Sequence, residues 1–430
     1  MTSICVDAFN LALPKGTGIA TYTRNLLANT HALGMENHAL YGPASLRTPN
    51  AIQNEMALVD LPTSSAKRGR FELWAATYAS RWGTMAYSTP RTGAVVWPST
   101  SAAEHIDHLW SAPHLFRTAI RSYRKYGTPT PVSFDTSDLP PPDIVQWTSA
   151  LPLYSKKSVN IYTIHDLIPL KLPYVTADDK SSFLKLCQFI AKKADHIITV
   201  SESARSDIIQ LLGVDEGRVT NTYQSIEAPT APRKSHHEIG YILDDSFGLS
   251  PGEYYLYFGA IEPKKNVLRL IEAYIASRSE RPLLIVGGRG WLDDDEEAFI
   301  RQIHRDGGSL AQRIRRYEYL PRSLLTDLIF GARATVFPSL YEGFGLPVLE
   351  SMAMGTAVMT SQSGALREIS GDAALGVNPY DVTSIAEGFQ RLENDDDLVE
   401  SLGSRGALRA NSFSPERYQE RLKALYSKLT

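Results

Sequence analysis

Cysteine is nearly absent from this chain. Cys5 and Cys187 are its two examples; they form no CxxC pair, so neither a disulfide framework nor a cysteine-based zinc site is indicated. An excess of one charge sign is lacking too. With 44 Lys and Arg against 47 Asp and Glu, the formal net charge is -3, which supplies no global attraction to nucleic acid. No apolar run approaches the ~18 residues needed to span a bilayer, and the apolar segment Ile4–Val6 lacks the length and flanks of a signal peptide. A cytoplasmic location is expected, with any membrane contact made from the side. An intact dinucleotide fingerprint is also missing: Gly16 and Gly18 follow the first apolar segment, but Thr21 stands where GxGxxG needs its third glycine. That break disfavours a nicotinamide-dependent oxidoreductase.

At 430 residues the chain is too long for one ordinary core, and two domains of about 200 residues each are expected. Short apolar runs alternate with amphipathic stretches, the pattern of an α/β protein with parallel sheets covered by helices. Strands are predicted at Ser3–Asp7, Ala94–Trp97, Ile144–Trp147, Val159–Ile164 and His196–Val200, with helices at Ala20–Ala32 and Ala204–Leu212. The pattern then repeats, with strands at Tyr254–Gly259, Pro282–Val286, Tyr317–Leu320, Ala334–Phe337 and Ala357–Thr360, and a helix at Asn266–Ser277. Between the halves, Ala228–Gly240 shows neither period and is read as a linker. The halves are accordingly placed at 1–228 and 241–413, and the Ser-Pro-Glu start at Ser414 marks a last helix over 414–430 that is expected to fold back onto the first domain.

The densest local signal runs from Val336 to Glu350, Val-Phe-Pro-Ser-Leu-Tyr-Glu-Gly-Phe-Gly-Leu-Pro-Val-Leu-Glu. A buried strand is followed by a loop with Glu342, Gly343 and Gly345, and Pro347 suits the first turn of a helix. Free amides at that helix start attract an anion. Glycines on both sides of Phe344 allow the backbone to approach a bound group closely. Glu342 and Glu350 suit a hydroxyl-rich ligand, because one carboxylate can accept from two neighbouring hydroxyls. A bland alternative is a tight strand-to-helix turn with one solvated and one helix-stabilising glutamate.

Tyr341-Glu-Gly-Phe-Gly-Leu-Pro-Val-Leu-Glu350 resembles the Glu-x7-Glu motif of the retaining glycosyltransferases of family four. Phe258-Gly-Ala-Ile-Glu-Pro-Lys-Lys-Asn266 resembles that family's Gly-x-x-x-Pro-x-Lys-Asn segment, and Gly355–Thr360, Arg367-Glu-Ile and Gly371-Asp-Ala-Ala continue the likeness in order. The resemblance implies a GT-B fold, with two Rossmann-like domains facing across a cleft and the nucleotide-sugar donor held by the C-terminal one. It implies that Glu350 binds the ribose, that Glu342 holds hydroxyls of the transferred sugar, and that the backbone of Gly343, Phe344, Gly345 and Leu346 contacts sugar and diphosphate. Lys265 would neutralise the leaving diphosphate, with the backbone around Gly259 close by. Many relatives carry Arg directly after that glycine where this chain has Ala260, so the second cation is either Lys264 or missing. Tyr319 and Leu320 fall where relatives stack the nucleobase, although a core role fits them equally well.

In the first half, Gly16 and Gly18 match the family's glycine loop opposite the donor, and simple turn formation explains them equally well. Ile161–Leu170 resembles the His-Asp segment, so that His165 at a strand's C-terminal end would contact the donor sugar. Ser201 and Glu202 match a Val-Ser-x-Ser segment, with helix capping as the alternative. Retention of configuration and the absence of a covalent nucleophile follow from the resemblance. Neither cofactor nor metal is expected: no DxD-like pair sits in a suitable loop, and Asp293–Asp295 reads as a solvated helix start.

The segment from Pro62 to Pro142 matches no pattern and is where acceptor specificity is expected. Trp74, Tyr78 and Arg81, and again Arg117, Arg121 and Arg124, recur at helical spacing. Such faces suit either an anionic membrane surface or lipid diphosphate acceptor, or an ordinary solvated helix. The expected partners are a nucleotide-sugar, first a GDP-sugar of mannose or a deoxyhexose and next a UDP-sugar, and a glycan or lipid-linked saccharide acceptor of bacterial surface-polysaccharide assembly. A peripheral membrane contact is expected, and nucleic acid is not. The competing classes are a non-catalytic nucleotide-sugar-binding protein on the same frame and a nucleotide-sugar epimerase.

Overall fold

The structure is a computed structural model that describes residues 2–12, 18–44, 47–60, 70–98, 101–177, 179–226, 234–288, 290 and 294–429. Gly16, Asp293 and residues 228–233 of the expected linker lie outside the described residues.

The first sheet comprises β1 (Ser3–Asp7), β2 (Glu36–Tyr41), β3 (Thr84–Thr89), β4 (His108–Ser111), β5 (Thr130–Phe134), β6 (Ile144–Trp147), β7 (Leu153–Ser155), β8 (Val159–Thr163), β9 (His196–Thr199) and β10 (Val219–Asn221). Its order is β10-β9-β8-β6-β1-β2-β4-β3-β5-β7. The pairing is parallel except between β3 and β4. The second sheet comprises β11 (Tyr255–Phe258), β12 (Leu283–Val286), β13 (Ile314–Tyr317), β14 (Ala334–Phe337), β15 (Ala357–Ser361) and β16 (Leu375–Val377). It is parallel throughout, in the order β13-β12-β11-β14-β15-β16. That is the doubly wound order, and the strand order reverses between β11 and β14, where a crevice opens at the strands' carboxyl ends.

The helices that border the cleft or join the halves are α1 (Gly18–Ala32), α2 (Arg70–Ala79), α3 (Leu115–Tyr126), α4 (Lys180–Lys193), α5 (Glu202–Leu212), α6 (His236–Phe247), α7 (Val267–Ser277), α8 (Arg322–Gly331), α9 (Leu346–Ala353) and α10 (Pro415–Leu429). The inner strands are buried on both faces, and Leu283–Val286 and Ala334–Phe337 are buried at every position, as expected where helices cover both sides of a parallel sheet. Helix α10 docks on the first domain: the Tyr426 hydroxyl donates to Gln146 Oε1 at 2.5 Å, and Gln419 donates to Asn29 at 3.0 Å.

Three expectations about local structure need correcting. Ala94–Trp97 is not a strand, because Val96 is 92% exposed; the strands of that region are β3 and β4. The strand expected at Tyr317–Leu320 lies earlier, at β13, so Tyr319 and Leu320 fall in the loop beyond its end. The C-terminal part of the expected linker opens α6, because Ser235 and Glu238 form a reciprocal capping box.

Away from the cleft, Glu36, His38 and His108 cluster with their polar atoms within 4.8 Å of one another. The Trp110 indole donates to His38 Nδ1 at 2.9 Å, which puts the proton of the neutral ring on Nε2 and leaves no lone pair there for a metal. Burial and the neighbouring His108 depress the His38 pKa to about 4, against the pull of Glu36, Asp107 and Asp143. Between pH 4 and 6.5 the unfolded chain therefore binds the proton that folded His38 refuses, so this histidine's contribution to stability falls as pH drops through that window. His38→Gln keeps an acceptor for the indole and removes the titration. The wild-type protein should lose about 2 kcal/mol more than this variant between pH 7 and pH 5, read from chemical denaturation at each pH. Parallel losses in both proteins would contradict the assignment.

Candidate active site

Two loops meet at the crevice between β11 and β14. The first leaves β11 through Gly259, whose φ is +141°, and runs over Pro263–Lys265 to Asn266 at φ +62°. A Cβ on the neighbouring Gly287 would fall 1.8 Å from the Gly259 carbonyl oxygen, so these two backbones touch where a side chain would separate them. The second loop leaves β14 and reaches α9 through Gly345, at φ +114°, with Pro347 in the first turn. They are stitched together by Leu340 N donating to the Lys264 carbonyl at 2.8 Å and by Asn266 Nδ2 donating to Pro338 O at 2.9 Å.

Within this seam Lys265 Nζ lies 2.5 Å from Glu342 Oε1, and Lys264 Nζ lies 3.6 Å from Glu262 Oε2. Burial pushes the Glu342 carboxyl up, but Lys265 and Lys264 beside it outweigh this and hold it below the ordinary range. Glu262 is displaced the other way, raised by burial against the pull of both lysines. Burial opposes the charge on Lys264, yet Glu342, Asp166 and Glu262 together raise its pKa. Two cations and two carboxylates thus share one poorly solvated volume. The first amides of α9 have no intrahelical acceptor, and the positive end of that helix adds to the local field.

The first domain closes on this seam. A Cβ on Gly343 would lie 2.6 Å from the His165 carbonyl oxygen and 3.0 Å from Asp166 Cβ, and one on Gly18 would lie 4.0 Å from Leu346 Cδ1. Ser201 Oγ, which caps α5, also donates to the Gly343 carbonyl at 2.8 Å. His165 stands at the end of β8 with Nε2 2.9 Å from the Thr148 carbonyl and its ring edge-on to Tyr22. The carbonyl can only accept, so the proton sits on Nε2 and the Nδ1 lone pair stays available. Burial lowers the His165 pKa and keeps the ring neutral. Beside it opens a cavity of about 430 Å³, lined by Phe9, Ile120, Leu151, Phe183, Arg124 and Asp166 among others, all from the first domain among the described residues.

The structure therefore brings together His165, Gly18, Lys264, Lys265, Glu342, Gly343 and Leu346. The Phe344 side chain turns into the core against Phe413, so only its backbone faces the cleft. Glu350, one turn into α9, is held by Arg322 of α8 at 2.8 Å. Tyr319 is 81% exposed, whereas Leu320 packs on the core. Trp74 and Tyr78 stack on α2 with ring centroids 5.7 Å apart. Arg81 lies beyond the end of α2 and is clamped over the rings of Tyr78, Trp82 and Tyr126, so it does not share their helical face. Arg117, Arg121 and Arg124 are exposed on α3.

Contacts that sequence reasoning missed join the halves. The Tyr341 hydroxyl donates to Asp207 Oδ2 at 2.6 Å and accepts from Lys171 Nζ at 2.9 Å. The Glu368 carboxylate accepts from the Glu202 and Ser203 amides at the start of α5, at 2.8 and 3.1 Å. Arg367-Glu-Ile is a recognisable motif, but nothing in its pattern names a partner 165 residues away.

Comparison with known proteins agrees with this architecture. The family described as Glycosyl transferases group 1 matches residues 245–409, and Glycosyltransferase Family 4 matches 134–226. O-antigen chain mannosyltransferase B of Escherichia coli is 34% identical over 261 residues, covering 60% of this chain and 67% of that protein. The chain belongs to glycosyltransferase family 4. Serotype-specific mannosyltransferase WbdA of Escherichia coli is 29% identical over 274 residues, which cover 62% of this chain but only 33% of that longer protein. Among solved structures, Anabaena HepE in complex with UDP and glucose superposes with a TM-score of 0.67 at 12% identity, covering 100% of both chains. Sucrose-phosphate synthase from Thermosynechococcus elongatus gives 0.65 at 18% identity, covering 100% of this chain and 99% of that one. These two likenesses establish the GT-B fold of the family member described here.

The contact at Gly343 is with backbone, which cannot swing away. Gly343→Ala should destabilise the closed protein by about 1–3 kcal/mol or hold the domains apart, seen as a lower melting temperature or a larger radius of gyration in solution scattering. Gly240→Ala, whose added Cβ meets only Pro251 at 3.7 Å, is the control. Unchanged melting and scattering for Gly343→Ala would contradict the contact.

Proposed function

We propose that this family 4 glycosyltransferase is a retaining hexosyltransferase that moves mannose or a related deoxyhexose from a GDP-sugar to a hydroxyl of a glycan or lipid-linked glycan, in O-antigen or related surface-polysaccharide assembly. The observation that carries the reading is the Lys265–Glu342 pair at the reversal point of the second sheet. A nucleotide-sugar presents a diphosphate bonded to a polyhydroxylated ring, and this seam offers ammonium groups and helix-start amides for the one and a carboxylate for the other. The mannosyl donor and the O-antigen setting are carried over from the printed functions of the Escherichia coli relatives. A UDP-sugar is the second donor to try.

The acceptor hydroxyl oxygen forms a bond to the anomeric carbon while the bond from that carbon to the diphosphate oxygen breaks, and a diphosphate oxygen takes the hydroxyl proton. Negative charge grows on the leaving group, where Lys265 and Lys264 stabilise it more than they stabilise the intact donor. Neutral His165 offers Nδ1 as a hydrogen-bond acceptor to a sugar hydroxyl at the other wall. Since the ammonium groups supply the countercharge that a metal supplies in other transferases, we infer metal-independent transfer. The acceptor enters from the cavity beside His165. The exposed aromatic edge beside α2, at Trp82, rests against the membrane surface in this reading.

Glu350→Ala should weaken nucleoside diphosphate binding about tenfold by calorimetry, and Glu342→Ala should slow transfer roughly a hundredfold or more with little change in nucleotide affinity. Near-normal kinetics for both variants would remove the site. A chelator should leave the transfer rate unchanged, and a strict manganese requirement would refute the role given to the lysines.

A further inference from the structure

On α3, Arg117, Arg121, Arg124 and Lys125 stand within nine residues that contain no acidic side chain. All four are exposed, and among the described residues no ion pair neutralises any of them. Like charges one helical turn apart destabilise a helix, so this arrangement is costly until an anion joins it. Three of the four converge with Trp74 and Thr77 of α2 on a cleft of about 290 Å³. The guanidinium fork is matched to phosphate oxygens, and the Trp74 ring floors the cleft with Lys125 Nζ 6.0 Å above it.

Arg124 also lines the larger cavity beside His165, so the two hollows share a side chain. One ligand can then place a sugar in the first, whose walls are mostly apolar, and a phosphate in the second. Beyond the cleft, Trp82 is 64% exposed, an amphipathic ring that suits the boundary between headgroups and acyl chains.

We propose that the α2–α3 cleft is an anion site for the phosphate of a glycosyl phosphate or diphosphate acceptor, whose sugar enters the cavity beside His165. The proposal rests on the transferase reading for its biological sense, but the site itself is tested separately. In calorimetry with inorganic pyrophosphate, the wild-type protein is expected to show two sites. Lys265→Ala removes the one at the donor loops. Arg121→Glu combined with Arg124→Glu weakens the other about tenfold or more and leaves the first in place. Arg121→Gln with Arg124→Gln serves the same purpose with less charge change should the glutamate variant fold poorly. Arg117→Glu, on the same helix outside the cleft, keeps both sites.

A wild-type protein with no site beyond the Lys265-dependent one overturns the proposal, as does an equal loss in Arg117→Glu, which would indicate diffuse charge. Binding to phosphatidylcholine vesicles containing phosphatidylglycerol, without any cleft-dependent pyrophosphate site, assigns these cations to lipid headgroups and also overturns it. Loss of the Lys265-dependent site alone from the wild-type isotherm counts against the donor assignment and leaves the cleft standing.

Discussion

The site depends on a buried ion pair, Lys265 with Glu342, set where the strand order of the second sheet reverses. Removing two charges from water is costly, and their attraction alone seldom offsets it. A pair in such a place is understandable if each partner awaits a ligand group of opposite character. Lys265 and Lys264 keep Glu342 ionised, and Glu262 and Lys264 extend the arrangement to four groups of alternating sign. The loops that carry them are fixed by main-chain geometry, through the left-handed conformations at Gly259, Asn266 and Gly345, so little reorganisation remains when a diphosphate arrives.

The same loops are what the first domain touches. Gly343 has no side chain because the His165 carbonyl occupies that space, and Tyr341, immediately before Glu342, is tied to Asp207 and Lys171. The interdomain contact and the placing of Glu342 therefore share one loop. Glu368 strengthens the link by capping α5 from the opposite domain, a favourable position for a carboxylate against a helix start. Among the described residues the cavity beside His165 draws its walls from the first domain, so under the proposed roles acceptor selection and donor binding fall to different domains.

Much of this was legible in the sequence where local chemistry dictates local structure. Buried parallel strands are continuous apolar runs, and β1, β6, β8, β9, β11, β12, β14 and β15 were found by that signal. Gly345 and Pro347 announced the loop and helix that present Glu342. What escaped were features fixed by distant contacts. Strands β2 and β4 carry buried polar residues, such as Asn37 and His38 in β2, whose hydrogen bonds to Leu27, His105 and Trp110 cannot be foreseen from spacing. Arg81 stood at helical spacing from Trp74, but the chain turns at Ser80–Gly83 and sends it into an aromatic clamp. Arg322 was invisible as the partner of Glu350 because they sit on helices separated in sequence by a whole strand.

The central claim is most directly tested by a crystal structure of the protein grown with GDP. The account predicts diphosphate oxygens within hydrogen-bonding distance of Lys265 Nζ and of the amides at residues 343–346, with Lys265 drawn away from Glu342. A nucleotide lodged outside the β11–β14 crevice, with the lysine and glutamate still paired, would contradict it.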